Sequence, residues 1–115
     1  MRSDSNSGSR TIQRGVDLTG ATSASITYTF RVNGINNSTT QQAFLEASLD
    51  GTTFTTLATF NANNAAAVTT TTTIPASLLG ANTTIRLRGI GQWQGNANDN
   101  SAVGAFFDNI SVNAT

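Results

Sequence analysis

Residues 23–33 read SASITYTFRVN, and apolar and polar side chains alternate along the whole stretch. Successive side chains of a β-strand point to opposite faces of a sheet, so the pattern predicts a strand with one buried face and one solvated face. Tyr28 belongs to the apolar set, and we expect its ring to lie in the core. The predicted buried residues are Ala24, Ile26, Tyr28, Phe30 and Val32.

Further segments with alternating or β-branched residues predict strands on either side of this one. Asp50 and Gly51 lie between two of them and predict a hairpin turn, because glycine tolerates positive φ and aspartate caps turns. Residues 75–79 begin with proline and carry two leucines, which predicts one helical turn that closes an end of the core. The other predicted strands cover residues 10–14, 42–49, 53–60, 67–74, 84–90 and 103–112.

The spacing of these strands predicts an all-β fold, a two-sheet antiparallel β-sandwich of about seven to nine strands. A chain of 115 residues is long enough for one domain with its own core, and we place that domain at residues 10–115. Residues 1–9 are rich in serine and lack hydrophobic periodicity, so we expect a flexible N-terminal lead-in there.

Charge and residue usage exclude several classes of function. Six arginines and six acidic residues give a formal net charge of zero, so we expect no nucleic-acid partner. No apolar segment approaches the roughly 20 residues that span a bilayer, so we expect no membrane insertion. The chain has no histidine and no cysteine, which removes the usual physiological base and any thiolate ligand. We therefore expect no enzyme activity and no catalytic residue.

Small polar residues outnumber charged ones, which make up 10% of the chain. Such surfaces are typical of modules in large exported bacterial proteins. We therefore expect a secreted or cell-surface location, an export signal outside this sequence, and neighbouring domains in a longer chain.

Residues 106–112, FFDNISV, predict the last strand. An uninterrupted alternation puts Phe106, Ile110 and Val112 on the buried face, and Asp108 falls on that face with them. A lone buried carboxylate costs several kcal/mol, so we expect a cation or an arginine to neutralise it. The candidate arginines are Arg14, Arg86 and Arg88.

Three segments together resemble a bacterial jelly-roll β-sandwich module of the MAM-like or carbohydrate-binding-module-like kind. Residues 14–26, RGVDLTGATSASI, are similar to the opening pattern of such modules. Residues 45–57, LEASLDGTTFTTL, are similar to their V-E-x-S-x-D-G-G-x-x-W-x-x-L pattern, with Phe54 at the usual tryptophan. Residues 84–88, TIRLR, followed by FDNI at residues 107–110, complete the resemblance.

The resemblance implies a non-catalytic module that binds carbohydrate and holds a structural calcium ion. In related jelly rolls an aspartate that opens the last strand holds the ion against the first strand, which implies Asp108 as a metal ligand. Asp17 and backbone carbonyls of residues 14–18 are the expected further ligands, since calcium takes about six to eight oxygens.

Trp93, the single tryptophan, lies between two glutamines. An aromatic face stacks on a pyranose ring while amide side chains bind hydroxyls, so this segment is a candidate glycan contact. A core or edge position for the tryptophan is the alternative. The predicted ligand-binding residues are Trp93, Gln94, Arg88 and Asn33.

Arg86 and Arg88 share one face of a predicted strand. Guanidinium groups hold carboxylates bidentately, so the pair is suited to an acidic sugar or another anionic partner. Pairing with Glu46 or Asp108 on a solvated sheet face is the alternative. The sequence favours a carbohydrate-binding module with a glycan or cell-surface partner. The other hypothesis is a structural spacer or adhesion module that acts through protein–protein contact or self-association.

Overall fold

The computed structural model of the protein describes residues 9–33, 41–64, 66–90 and 104–115. Of the predicted lead-in, only Ser9 lies within this part, where it begins the first strand. The strands are β1 (Ser9–Val16), β2 (Ala24–Asn33), β3 (Gln42–Ser48), β4 (Thr55–Phe60), β5 (Val68–Ile74), β6 (Thr83–Ile90) and β7 (Gly104–Ala114), with a 3-10 turn at Ala76–Leu78.

The strands form two antiparallel sheets, which confirms the predicted two-sheet β-sandwich. The four-stranded sheet has the order β1-β6-β3-β4, and the three-stranded sheet has the order β5-β2-β7. β1 and β7 are therefore edge strands of different sheets. The predicted helical turn after β5 is also present, and its leucines pack against the core.

The core lies between the two sheets and is built from one face of each central strand. Ile26 of β2 and Leu45 of β3 are almost wholly buried there, and Tyr28 is buried as predicted. An aromatic group extends this core, because the rings of Phe30 and Phe60 have centroids 4.8 Å apart and those of Phe60 and Phe107 are 5.2 Å apart. The first contact is tilted and the second is edge-to-face, and ring contacts of both kinds add to the apolar burial.

The turn after β3 has the predicted chemistry. The Asp50 carboxylate accepts backbone hydrogen bonds from Thr52 at 2.8 Å and Thr53 at 3.0 Å, and the Ser48 hydroxyl donates to it at 2.9 Å. Gly51 has a φ of 81°, which lies in the left-handed region that favours glycine.

The orientation of Asp108 differs from the prediction. Its side chain is exposed, whereas Phe107 packs against the core. The register between β2 and β7 shifts between Thr27 and Thr29, where a β-bulge places an extra residue of β7. Asn109 has a φ of 54° at this bulge. The alternation therefore changes phase within β7, and of the three apolar residues assigned to the buried face only Val112 packs against the core.

The outer face of the three-stranded sheet is covered by hydroxyl side chains that bond to one another across strands. Thr27 and Thr71 are joined by a 2.9 Å hydrogen bond between their hydroxyls, and Thr29 and Thr69 by one of 2.8 Å. The threonine run of β5 is thus a strand, as its β-branched residues predict. The hydroxyls of Thr69 and Thr71 on β5 bond to threonine hydroxyls of β2.

Gly51→Ala should destabilise the protein by about 1 kcal/mol, because an L side chain in the left-handed region is strained. The added Cβ would meet its nearest atom, the Thr84 hydroxyl oxygen, at an ordinary 3.5 Å, so conformation is the main cost. Gly15→Ala is the control, since its Cβ would have only a 4.0 Å contact. Urea unfolding should show a control change within about 0.5 kcal/mol. Equal losses in the two variants would contradict the turn geometry.

Candidate binding surfaces

Glu46, Arg86 and Arg88 form an ion triad on the outer face of the four-stranded sheet, the face turned away from the core. Arg86 Nε donates to Glu46 Oε1 at 2.8 Å, and Arg88 donates through Nε to Oε1 and through Nη2 to Oε2, both at 3.1 Å. Glu46 is 3% exposed although it faces away from the core. The two arginines therefore cover this carboxylate, as one of the predicted alternatives had it.

Each arginine of the triad also lies over a phenylalanine ring. The Arg86 guanidinium carbon is 3.6 Å from the centroid of Phe54, and that of Arg88 is 4.6 Å from the centroid of Phe44. A guanidinium over an aromatic face is attracted by the ring quadrupole. These five residues are called the arginine–aromatic cluster: Phe44, Glu46, Phe54, Arg86 and Arg88.

The charge on Glu46 is stabilised by its two partners. Burial raises the pKa of Glu46, but hydrogen bonds from Arg88 and Arg86 and their positive charges together lower it below its ordinary value. The triad therefore carries two positive charges and one negative charge at neutral pH, a net charge of +1.

A groove of about 350 Å³ opens between the edge strands β1 and β7. Buried core residues of both sheets, among them Ile26 and Leu87, form its floor. Ile12 of β1 and Ile110 of β7 line its mouth and are 64% and 49% exposed. This feature, called the β1–β7 groove below, gives access from solvent to the apolar space between the sheets.

The predicted glycan-binding residues do not form one described surface. Arg88 is on the outer face of the four-stranded sheet, where it pairs with Glu46. Asn33 is the last residue of β2, in the other sheet. In the alternation along β2, its position belongs to the set that faces away from the core. The two residues therefore belong to opposite sides of the sandwich. Trp93 and Gln94 lie outside the described residues, so their part in binding stays a prediction.

The structure describes both predicted calcium ligands, Asp17 and Asp108, and calcium binding by them stays a prediction. Asp17 accepts hydrogen bonds from the backbone and hydroxyl of Thr19, near the end of the sandwich where Thr22 bonds to Thr115. Asp108 is exposed on β7, where it accepts a hydrogen bond from the backbone of Asn109 at 2.8 Å. No group of three or more acidic, histidine or cysteine side chains suited to a metal occurs among residues 9–33, 41–64, 66–90 and 104–115.

Both surfaces contain residues that the sequence did not single out. Phe44 lies between Ala43 and Leu45, which belong to the apolar face of the predicted strand. The alternation therefore indicates that the Phe44 ring faces outward, and this was the sequence signal for a ring on the surface. Ile12 lies in a short first strand, and nothing in the sequence says that this strand ends at a sheet edge. Edge position depends on which strands pair, which single-strand periodicity does not specify.

Comparisons with known protein families and with characterised proteins found no match for this chain. Within the part of the chain that the structure describes, no helix has the length and apolar character needed to cross a membrane.

Glu46→Gln should lower the free energy of unfolding by about 2 kcal/mol, because it leaves two partly covered guanidiniums without a counter-charge. Asp108→Asn is the matched control, since it makes the same change at an exposed carboxylate with no arginine bonded to it among the described contacts. Chemical denaturation at neutral pH should give a control change under about 0.5 kcal/mol. A loss in the control as large as that of Glu46→Gln would contradict the triad.

Acidification should destabilise the fold through carboxylates whose pKa values are lowered. Hydrogen bonds from Thr19 lower the pKa of Asp17, and those from Thr53, Thr52 and Ser48 lower that of Asp50. The ordinary pKa values are 3.8 for Asp and 4.5 for Glu. A carboxylate whose pKa is lower in the folded protein stabilises the fold at pH values above its ordinary pKa. This stabilisation is lost as the pH falls through the pKa of the folded state.

Urea midpoints should therefore stay level from about pH 7 to about pH 5 and then fall toward about pH 2.5. The fall should be shallower in Glu46→Gln, which lacks one of the contributing groups. A wild-type midpoint that rises on acidification would contradict the assigned directions.

Proposed function

We propose that this chain is a non-catalytic protein-binding module of the adhesion or structural type. In this proposal an extended segment of another polypeptide lies in the β1–β7 groove. A secreted or surface location in a larger protein is part of the same proposal. The observation that carries it is the open groove, whose apolar floor is shared by both sheets.

The edge strands on either side of the groove can offer backbone hydrogen bonds. An edge strand has a neighbour on one side only, so every second residue presents unpaired N–H and C=O groups. β1 pairs with β6 alone and β7 pairs with β2 alone among the described strands. An extended peptide can add to such an edge and gain main-chain hydrogen bonds.

The floor of the groove supplies the apolar part of the interaction. A strand added to an edge points alternate side chains into the groove, where they contact Leu87, Val112 and the exposed Ile12. Burial of apolar area is the main source of affinity in such a site. In the depression of about 460 Å³ that includes residues 58–64, by comparison, half of the lining residues are threonine or asparagine.

Arg14 gives the groove its charge preference. It lies on β1 among the residues that line the groove, and it is exposed. A charge on the core-facing side of an edge strand discourages indiscriminate strand pairing. A fitting partner therefore carries a carboxylate opposite Arg14, together with alternating apolar residues.

The remaining segments of this chain are poor occupants by sequence. Residues 1–8 contain one apolar side chain, Met1, and residues 34–40 contain one, Ile35. Residues 91–103 contain Trp93 and Val103, which are ten positions apart, and the apolar residues between them are alanines. None has the alternating large apolar residues that the groove would bury. The proposed occupant of the groove is therefore a segment of another polypeptide.

Catalysis and calcium have no part in the proposal. Glu46, the single glutamate of the chain, is bonded to two arginines, and the chain contains no histidine to act as a base. Glycan binding through Trp93 and Gln94 stays a separate prediction.

The proposal is tested by selecting random eight-residue peptides, the length of β1, on the immobilised protein. Selected peptides should alternate apolar and polar residues and contain an acidic residue. Their binding should fall at least about tenfold in Ile12→Asp and in Ile110→Asp, because each puts a charge in the apolar mouth. Hydrogen exchange should slow at β1 and β7 amides on binding.

Val68→Asp is the matched control, because Val68 is an exposed apolar residue on the edge strand β5 and does not line the groove. This variant should bind the selected peptides as wild type does. The proposal is overturned if no peptide is enriched, or if Val68→Asp weakens binding as much as Ile12→Asp. Concentration-dependent dimerisation that Ile12→Asp abolishes would assign the occupant to a second copy of this chain.

A further inference from the structure

We propose that the outer face of the four-stranded sheet binds a carboxylated saccharide, whose uronic-acid carboxylate lies on Arg86 and Arg88. This site faces away from the core and shares none of its five cluster residues with the β1–β7 groove. The inference therefore stands independently of the protein-binding function.

The two guanidiniums have donors that Glu46 does not use. A guanidinium carries five N–H donors. The bonds to Glu46 involve only Nε of Arg86, and Nε and Nη2 of Arg88. The side chains of Arg86 and Arg88 are 21% and 29% exposed. The outer ends of both guanidiniums thus remain accessible to a second carboxylate, and a fork of two N–H groups matches its geometry.

The arginines are held in place before any ligand binds. Each is fixed from one side by Glu46 and from the other by a phenylalanine ring, at 3.6 Å for Arg86 and 4.6 Å for Arg88. Ordering a long side chain on binding costs free energy in a flexible site, and here both side chains are already ordered by folding. The net charge of +1 on the triad favours an anion.

The residues around the cluster favour a sugar over an acidic peptide. Across the sheet, Thr11 is the register neighbour of Arg88 on β1, and Gln13 is that of Arg86. On the other side, Thr56 of β4 lies opposite Glu46 and Thr59 lies opposite Phe44. These four side chains are exposed. Hydroxyl and amide groups beside aromatic rings suit the hydroxyls and C–H faces of a pyranose.

The opposite face of the sandwich lacks this combination and supplies the control. The outer face of the three-stranded sheet has one arginine among the described residues of β2, β5 and β7, Arg31, which lies 5.8 Å from the ring centroid of Phe106. Its threonine hydroxyls bond to one another.

The test titrates the protein with tri-galacturonate and with neutral galactotriose, a saccharide of equal length. NMR amide shifts should change on β3 and β6 with tri-galacturonate and stay unchanged on β2 and β5. Galactotriose should bind at least about tenfold more weakly, because the carboxylates supply the bidentate contacts. Arg86→Gln and Arg88→Gln should each weaken tri-galacturonate binding by about tenfold.

Arg31→Gln removes the same charge from the opposite face and should change the affinity less than about twofold, since distant exposed charges are screened. Arg86→Lys keeps the positive charge and replaces Arg86→Gln as the test variant if Arg86→Gln does not fold. Because lysine lacks the paired N–H groups of a guanidinium, this variant should still bind the sugar more weakly. The Ile12→Asp groove variant should bind the sugar normally. Equal binding of galactotriose, an equal loss in Arg31→Gln, no binding of either sugar, or tighter binding of a hexaglutamate peptide would overturn the inference.

Discussion

The alternation of side chains along each strand is the constraint on which the whole structure depends. It assigns one face of every strand to the space between the sheets and the other face to solvent. Ile26, Leu45 and Tyr28 follow this rule into the core. Among the described strands, each of the two sheets is open and ends in strands that have one neighbour. The core therefore reaches the surface where the groove opens between β1 and β7.

The outer faces of the two sheets solve the problem of solvation in different ways. The three-stranded sheet carries threonines whose hydroxyls bond across strands, and such a face offers little to an incoming ligand. The four-stranded sheet instead buries Glu46 beneath two arginines and flanks them with Phe44 and Phe54. A buried ion triad is weak evidence for stability alone, because desolvation offsets much of the attraction. The fixed geometry of its exposed side is what suits it to recognition.

The sequence was sufficient for the fold because period-two alternation and turn residues are local signals. The strand at β2, the turn at Asp50 and Gly51, and the outward phase of Arg86 and Arg88 all followed from them. Asp108 shows where local signals end. The bulge in β7 shifts the alternation of side chains by one residue. At the bulge Asn109 has a φ of 54°, in the left-handed region. The sequence hint was the residue type, since asparagine tolerates that region. The face of the strand on which Phe107 lies depended on this bulge.

The groove was beyond sequence reasoning for a further reason. Its walls are edge strands, and edge status is a property of sheet order, which arises from long-range pairing. Pairing with β6 on one side alone makes Ile12 a surface residue, although its apolar character suggests burial. The same holds for Ile110, which the bulge leaves at the mouth of the groove.

Whether the sandwich is open between β1 and β7 can be measured by solvent paramagnetic relaxation of isoleucine methyl groups. With a soluble gadolinium chelate, the methyls of Ile12 and Ile110 should relax strongly, whereas those of Ile26 and Ile74, which are at most 1% exposed, should be shielded. If Ile12 and Ile110 prove as shielded as Ile26, the groove is closed in solution and the account is wrong.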